Sequence, residues 1–365
     1  MQVILKATSA CNASCRYCSA VPEAASGARL REVDLAPLFD AFRPWLDADP
    51  ARKLSFVWHG GEPLLPGLGY FQRAAEEQAR AFGTARNRVS NRLQSNLLLI
   101  DDAWVEFLRG FVGSVGTSFD LVEGVRTTRT GGPIAARWVD AVTRCRQAGI
   151  PVGVVYVVHK GSLPRAADLY RFFRNMDERG RVRFNPLYPE GRAATGATDD
   201  LAITAEEYGD FLVEVAQLWW ADGRTADVLP LREWHDAWRG GGRLSCDSSG
   251  SCQENFLGVG PDGSTWGCGR FVDNGATAWH LGNVLQDDLE TILLHPGRTR
   301  LATRSETLQR NGCADCPYFA VCHGGCPMLA QLVRGDAMQK TPFCEGRKKV
   351  YRFLEERLGP LERTS

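Results

Sequence analysis

The sequence lacks the features that mark membrane, secreted and nucleic-acid-binding proteins. No apolar run approaches the roughly 18 residues that a membrane-spanning helix needs, and the first ten residues are too quickly interrupted to form a signal peptide. The 43 basic residues are balanced by 43 acidic ones, so the chain has no positive excess of the kind that follows a phosphate backbone. We therefore expect a cytoplasmic protein whose partners include no nucleic acid and no membrane.

Cysteine, in contrast, is abundant, with 12 in 365 residues. In a reducing compartment such crowding indicates metal sites rather than disulfides. Three cysteines lie within the first 18 residues and eight lie between positions 246 and 344, so the chain is expected to have two functional parts. Cys145 stands alone within a helical pattern, and we expect it to be a small buried hydrophobic residue without a chemical role.

Between the two cysteine groups, short β-rich runs alternate with helical patterns, which predicts an α/β fold. The predicted strands are 3–7, 54–58, 89–94, 115–119, 152–158 and 182–187. The predicted helices are 70–82, 101–111, 134–148, 163–175 and one that begins at Thr204, where Thr204 and Glu207 have the spacing of a capping box. Six strand–helix units are too few to close an eight-stranded barrel. We therefore expect a partial (β/α)6 TIM-type barrel with its functional loops at the carboxyl ends of the strands.

The first cysteine group, Cys11, Cys15 and Cys18, has C-x3-C-x2-C spacing and follows the first predicted strand. Three thiolates can hold three irons of a cubic 4Fe-4S cluster and leave the fourth iron open to a ligand. A zinc site that borrows a distant fourth ligand is the alternative. The motif, with Tyr17 before its last cysteine, resembles that of the radical S-adenosylmethionine enzymes.

The resemblance extends to the later strand ends. The second predicted strand runs into Gly60-Gly61-Glu62-Pro63, a segment that in this family holds the amino group of S-adenosylmethionine. Glycines allow close backbone approach, and a carboxylate suits an ammonium group. The resemblance also implies a cofactor contact from Tyr17. Further contacts are implied at and beyond the ends of the third and fourth strands, from Asn96, Ser118, Asp120 and Arg126, with Arg129 as an alternative to Arg126.

The eight later cysteines suffice for two fully ligated 4Fe-4S clusters. Their series resembles the SPASM domain of radical enzymes that modify peptides and proteins. Carried over by order, the resemblance implies a near cluster held by Cys246, Cys252, Cys268 and Cys326, and a far cluster held by Cys313, Cys316, Cys322 and Cys344. The predicted domains are a barrel at 1–222, a linker at 223–245, a SPASM domain at 246–350 and a C-terminal helix or tail at 351–365.

The resemblance implies a radical SAM oxidoreductase that cleaves S-adenosylmethionine to a 5′-deoxyadenosyl radical. The expected substrate is a ribosomally made precursor peptide or a protein, oxidised by two electrons to form a cross-link of the cyclophane or thioether type. An electron donor such as flavodoxin or ferredoxin is also implied. Only ten residues precede Cys11, so a separate leader-recognition protein, or the barrel itself, is expected to bind any leader.

Two alternatives remain. One is an anaerobic sulfatase-maturing enzyme, which converts serine or cysteine to formylglycine. Those enzymes have an aspartate, the catalytic base, directly after the cysteine equivalent to Cys268, whereas this chain has Gly269. The other is a non-catalytic metal-cluster binding protein, which would need neither an open cluster nor the Gly60-Gly61-Glu62-Pro63 segment. The catalytic base is left unassigned. The tryptophan-rich stretch at 219–238 is interpreted as core packing rather than as a peptide groove.

Overall fold

The computed structural model describes residues 1–19, 28–176, 179–194, 196, 198–273 and 276–361. The strands are β1 Gln2–Thr8, β2 Ala13–Cys15, β3 Leu54–Gly60, β4 Val89–Gln94, β5 Val115–Ser118, β6 Arg126–Thr128, β7 Val152–Val158, β8 Val182–Pro186, β9 Val228–Leu229, β10 Phe256–Val259, β11 Ser264–Trp266 and β12 His280–Asn283. The α-helices are α1 Glu32–Asp47, α2 Leu68–Phe82, α3 Asp102–Phe111, α4 Ala135–Gln147, α5 Ala166–Arg174, α6 Ala205–Ala221, α7 Leu231–Trp238, α8 Cys252–Asn255, α9 Gly269–Asp273, α10 Leu289–Leu293, α11 Pro296–Ala302, α12 Arg304–Arg310, α13 Phe319–Cys322, α14 Pro327–Arg334 and α15 Cys344–Leu358.

All six predicted strands are present, as β1, β3, β4, β5, β7 and β8, and the predicted helices correspond to α2 through α6. The capping box of α6 forms as expected. The Thr204 hydroxyl accepts from the Glu207 N–H at 3.1 Å, and the Glu207 carboxylate accepts from the Thr204 N–H at 2.9 Å. The predicted α/β fold, built from the parallel strand–helix units of a partial barrel, is confirmed.

The chain divides into two compact units, and neither is continuous in sequence. The first unit comprises Met1–Phe119, Glu123–Gly153 and Gln253–Thr299. Its strands lie in the order β12-β11-β10-β1-β3-β4-β5. The β10–β1, β1–β3, β3–β4 and β4–β5 pairs are parallel, while the β10–β11 and β11–β12 pairs are antiparallel. Pairing of β10 with β1 brings a late segment beside the first strand, which the sequence analysis did not predict. The predicted domain limits remain a prediction.

Alternation along β3 separates two faces in the first unit. Leu54, Phe56 and Trp58 are buried on one face, where Phe56 packs edge-on against Phe39 of α1. His59, next along the strand, points to the opposite face because successive side chains of a strand alternate. Lys6 is its partner in the register of β1 and β3, so both residues lie on the face that carries the polar side chains described below.

The second unit comprises Asp120–Val122, Val154–Cys252 and Arg300–Ser365. Here β7, β8 and β9 are parallel neighbours. Helices α6 and α15 cross closely at Gly209, where an added Cβ would lie 2.6 Å from the Gly346 Cα. The predicted linker contains β9 and α7. Trp219 and Trp234 are 0% and 1% exposed, which confirms their interpretation as core. In the part of the chain that is described, no helix is long and apolar enough to cross a membrane.

Candidate active site

The three early cysteines lie where β1 ends. Cys15 belongs to β2, directly opposite Arg126 of β6. The Ala13 N–H donates to the Cys11 sulfur at 3.4 Å, and the Cys18 N–H donates to the Cys15 carbonyl at 3.2 Å. Burial raises the pKa of the Cys11 thiol, and the neighbouring Cys15 and Glu62 act in the same direction. The three thiols therefore share one compact loop, as a cluster site requires.

The Gly60-Gly61 segment is held against the chain that leads into this loop. The Gly61 N–H donates to the Thr8 carbonyl at 2.8 Å, and the Glu62 N–H donates to the Ala10 carbonyl at 2.8 Å. A Cβ on Gly60 would lie 2.1 Å from the Thr8 oxygen, and one on Gly61 would lie 2.2 Å from the Ala10 oxygen. Both glycines are therefore required by packing against the backbone immediately before Cys11.

Glu62 is a fully buried carboxylate, with 0% of the residue exposed. It accepts hydrogen bonds from the Asn96 N–H at 2.8 Å, the Leu64 N–H at 3.0 Å and the Ser95 hydroxyl at 2.8 Å. Burial raises its pKa to about 7, against the effect of these donors and of the charge on Arg126. A buried carboxylate with a raised pKa beside the cysteine loop is suited to pair with an ammonium group.

Asn96 joins the segment of Glu62 to the cysteine loop. Its side-chain amide donates to the side-chain oxygen Oδ1 of Asn12 at 2.7 Å and approaches the Cys11 sulfur at 3.8 Å. Arg126 lies close enough to Cys11 and Glu62 for its charge to act on both groups. The structure thus brings together Cys11, Glu62, Asn96 and Arg126.

The remaining predicted cofactor residues differ in burial and in the unit to which they belong. Tyr17 is 8% exposed, Pro63 is buried, and Ser118 ends β5 half-buried. Asp120 belongs to the second unit, where its carboxylate contacts His159 Nε2 at 3.0 Å and accepts from the Tyr156 hydroxyl at 3.2 Å. These contacts occupy both oxygens of Asp120. The predicted cofactor roles of these residues stay predictions.

A charged cluster that the sequence analysis missed lies on the polar face of the first unit. The Lys6 ammonium contacts both carboxylate oxygens of Asp273, at 2.8 and 3.0 Å, and His59 Nδ1 at 3.3 Å. Lys6 and Asp273 have side chains that are only 5% and 11% exposed. His59 Nδ1 also receives the Gly60 N–H at 2.8 Å. Because Nδ1 accepts from these two donors, the ring proton lies on Nε2. Burial of the ring, together with the nearby positive charge of Lys6, lowers the pKa of His59 well below its usual value.

The glycine after Cys268 has a packing reason. Helix α9 begins at Gly269 and lies so close to β1 that an added Cβ would be 2.6 Å from Ile4 Cγ2. A side chain at this position therefore requires a shift of Ile4 or of the helix. Asp273, one turn later on α9, is the carboxylate that this helix carries. No sequence signal links Asp273 to Lys6, because only the sheet brings them together.

The later cysteines are divided between the units, with Cys268 in the first and the other seven in the second. Within the second unit, Cys313 lies in electrostatic range of Cys316 and Cys322, and Cys344 lies in range of Cys322. This grouping fits the predicted far ligand set. A surface groove of about 1010 Å³ is lined in part by Cys313 and Cys316. These two members of the predicted far ligand set are therefore reached from solvent.

Among the described residues, no three cysteine, histidine or acidic side chains converge on a single-ion position. A cubic cluster does not require such convergence, because each thiolate binds a different iron. The chemistry and grouping of the thiols are compatible with iron–sulfur clusters.

Comparison with known proteins agrees with this arrangement. Residues 5–173 match the model of the Radical SAM superfamily. A serine-type anaerobic sulfatase-maturating enzyme from Klebsiella aerogenes is 28% identical over 362 residues, covering 96% of this chain and 84% of the relative. A cysteine-type anaerobic sulfatase-maturating enzyme from Clostridium perfringens is 25% identical over 371 residues, covering 98% and 96%.

The fold is also shared with a solved structure, native anSMEcpe with bound AdoMet. The TM-score is 0.83 at 22% identity, and the match covers 98% of this chain and 97% of the other. At this identity the likeness concerns the fold. The chain therefore has a radical SAM domain at residues 5–173, and it is an enzyme that is similar along nearly its whole length to the anaerobic sulfatase-maturating enzymes.

Proposed function

We propose that this enzyme oxidises a serine or cysteine side chain of a peptide or protein substrate to formylglycine. The observation that carries the proposal is similarity along nearly the whole chain to both serine-type and cysteine-type sulfatase-maturating enzymes. This similarity supports formylglycine formation over the peptide cross-linking that the sequence analysis placed first. The absence of an aspartate at position 269 is the observation that favours cross-linking.

The proposed cofactor sites use the residues that lie together in the first unit. Cys11, Cys15 and Cys18 would hold the open 4Fe-4S cluster, and Glu62 would pair with the ammonium group of S-adenosylmethionine. When bound, these two groups supply the 5′-deoxyadenosyl radical. Arg126, whose charge acts on Glu62, would contribute a guanidinium for the cofactor carboxylate.

Asp273 is proposed as the proton acceptor. Oxidation of a serine to an aldehyde breaks one Cβ–H bond and the O–H bond while the second C–O bond forms. S-adenosylmethionine held at Glu62 and clusters held by the later cysteines would supply the acceptors for the Cβ hydrogen and for the remaining electron. The hydroxyl proton would pass to the Asp273 carboxylate. Lys6 holds the Asp273 carboxylate through two contacts, which fixes its orientation for this transfer.

The test uses three peptides that differ only at one position, with serine, cysteine or alanine. Each is incubated anaerobically with reconstituted enzyme, S-adenosylmethionine and a chemical reductant, and is analysed by mass spectrometry with a hydrazide that traps aldehydes. We expect a trapped aldehyde on the serine or cysteine peptide and an unchanged alanine peptide. Loss of two hydrogens without trapping would instead establish cross-linking or desaturation.

Asp273→Asn tests the proton-acceptor role independently of the cleavage of S-adenosylmethionine. The variant should still release 5′-deoxyadenosine, because the described Asp273 side chain pairs with Lys6 rather than with the cysteine loop or Glu62. It should form at least tenfold less aldehyde. Asp102→Asn, which alters a carboxylate that is 90% exposed, is the matched control and should retain both activities. Full aldehyde formation by Asp273→Asn would remove Asp273 from the proposed mechanism.

A further inference from the structure

Arg304, the first residue of α12, is a buried cation whose partners are carbonyl groups. It is 4% exposed. Its guanidinium donates to the carbonyls of Ala337 at 2.7 Å, Gly325 at 2.7 Å, Gly324 at 3.0 Å and Gln339 at 2.5 Å. In the part of the chain that the structure describes, no carboxylate lies within ion-pair distance of it. A buried charge without a counter-charge is strongly unfavourable, so its compensation must come from elsewhere.

Arg304 also has cysteine side chains around it. Its guanidinium lies in electrostatic range of Cys252, Cys326, Cys313 and Cys322. The first two belong to the predicted near ligand set and the last two to the far set. Arg304 therefore lies near two members of each predicted set, and all four belong to the second unit.

The backbone around Arg304 is shaped to receive it. Residues 323–325, between Cys322 and Cys326, all have positive φ angles, of 47°, 79° and 72°. This conformation is costly for a residue such as His323. It presents the carbonyls of Gly324 and Gly325 to the guanidinium, while the carbonyls of Ala337 and Gln339 come from the segment before Cys344. Arg304 thus joins two segments that carry cysteines.

We propose that Arg304 is a redox-positioning residue that is shared by the two auxiliary iron–sulfur centres and makes both easier to reduce. A thiolate-ligated cluster gains one negative charge when it accepts an electron, and a fixed positive charge in a water-poor environment stabilises that state. Four neutral hydrogen-bond donors could hold the loop at residues 323–325 in place without burying a charge. The placement of a full cation at this point is therefore explained by charge compensation.

The proposal rests on the cluster ligation that belongs to the proposed function, and the test keeps the two apart. In the full chain, Cys11, Cys15 and Cys18 are replaced together by alanine, so that the remaining iron and electron paramagnetic resonance signals come from the later cysteines. Absence of these signals while Arg304 is intact overturns the cluster assignment, and the proposal with it. Their presence supports the assignment whatever Arg304 does.

Potentiometric titration of the same background then tests Arg304 itself. Arg304→Gln should make reduction of both centres at least tenfold less favourable, which for one electron is about 59 mV. Arg304→Lys, which keeps the charge, should change the equilibrium less than threefold. Arg232→Gln removes a guanidinium that bonds the carbonyls of Arg224 and Ala226, and should also change it less than threefold. Equal shifts in the Gln and Lys variants, or no shift in the Gln variant at unchanged iron content, would overturn the proposal.

Discussion

Gly61→Ala tests whether the Gly60-Gly61 segment positions the cysteine loop. The added Cβ would lie 2.2 Å from the Ala10 carbonyl oxygen, whereas ordinary contacts begin at 3.4 Å, so the two segments must separate by about 1.2 Å. The contact involves backbone atoms of Ala10 and a Cβ fixed to the Gly61 backbone, so no change of side-chain rotamer can relieve it. Separation also stretches the hydrogen bonds from Gly61 to Thr8 and from Glu62 to Ala10, which are both 2.8 Å long.

The expected cost follows from these two effects. Overpacking of this kind costs about 1–3 kcal/mol, and weakening two backbone hydrogen bonds adds about 1 kcal/mol or more. For the first unit this corresponds to a fall in Tm of roughly 5 °C or more. Because Ala10 precedes Cys11, the same movement should reduce the iron bound per chain and weaken binding of S-adenosylmethionine.

The assay measures Tm, iron per chain and cofactor affinity on anaerobically reconstituted protein. Gly69→Ala in α2 is the matched control, because nothing lies within 4 Å of its added Cβ and the substitution should leave stability unchanged or raise it by up to about 1 kcal/mol. If Gly61→Ala matches Gly69→Ala in all three measurements, the packing argument for this segment is refuted.

Three further outcomes are expected. Because the pKa of Glu62 is about 7 and only its ionised form pairs with an ammonium group, calorimetric affinity for S-adenosylmethionine should rise about tenfold between pH 6 and pH 8, and Glu62→Gln should bind weakly at both pH values. Arg347→Met removes the guanidinium that donates to the Asp247 carboxylate at 2.5 Å. It should lower the free energy of unfolding by about 3 kcal/mol or more and lower Tm accordingly; an unchanged Tm would contradict this. Gly209→Ala should separate α6 from α15 and lower the free energy of unfolding by about 1–3 kcal/mol. Gly110→Ala has open space around the added Cβ and should not lower it.

The order of strands and helices was predictable because it depends on short-range patterns. Alternating burial along β3 and β7 follows the period of two in the sequence, and the cap of α6 needs only Thr204 and Glu207. Helix α1 was missed because Pro37 and Pro44 lie within it and proline normally indicates a helix end. Strand β10 was missed because it is short, and its place beside β1 depends on a partner more than 250 positions earlier.

The candidate site was predictable where its residues are close in sequence or share a motif. The cysteine spacing and the Gly60-Gly61-Glu62-Pro63 segment indicated cofactor chemistry without a structure. The role of the glycines was only partly foreseen. The close approach that they permit is to the backbone of residues 8–10, so they shape the cysteine loop itself.

The sequence by itself determined the α/β class, the grouping of the cysteines and the carboxylate at Glu62, since each is carried by local spacing. The tertiary structure decided which distant charges meet. Lys6 and Asp273 pair because α9 packs against β1, and the same packing places Gly269 against the side chain of Ile4. Arg304 faces four cysteines because loops from separate parts of the chain fold around it. Such contacts have no sequence period, because they depend on how close the packed elements come.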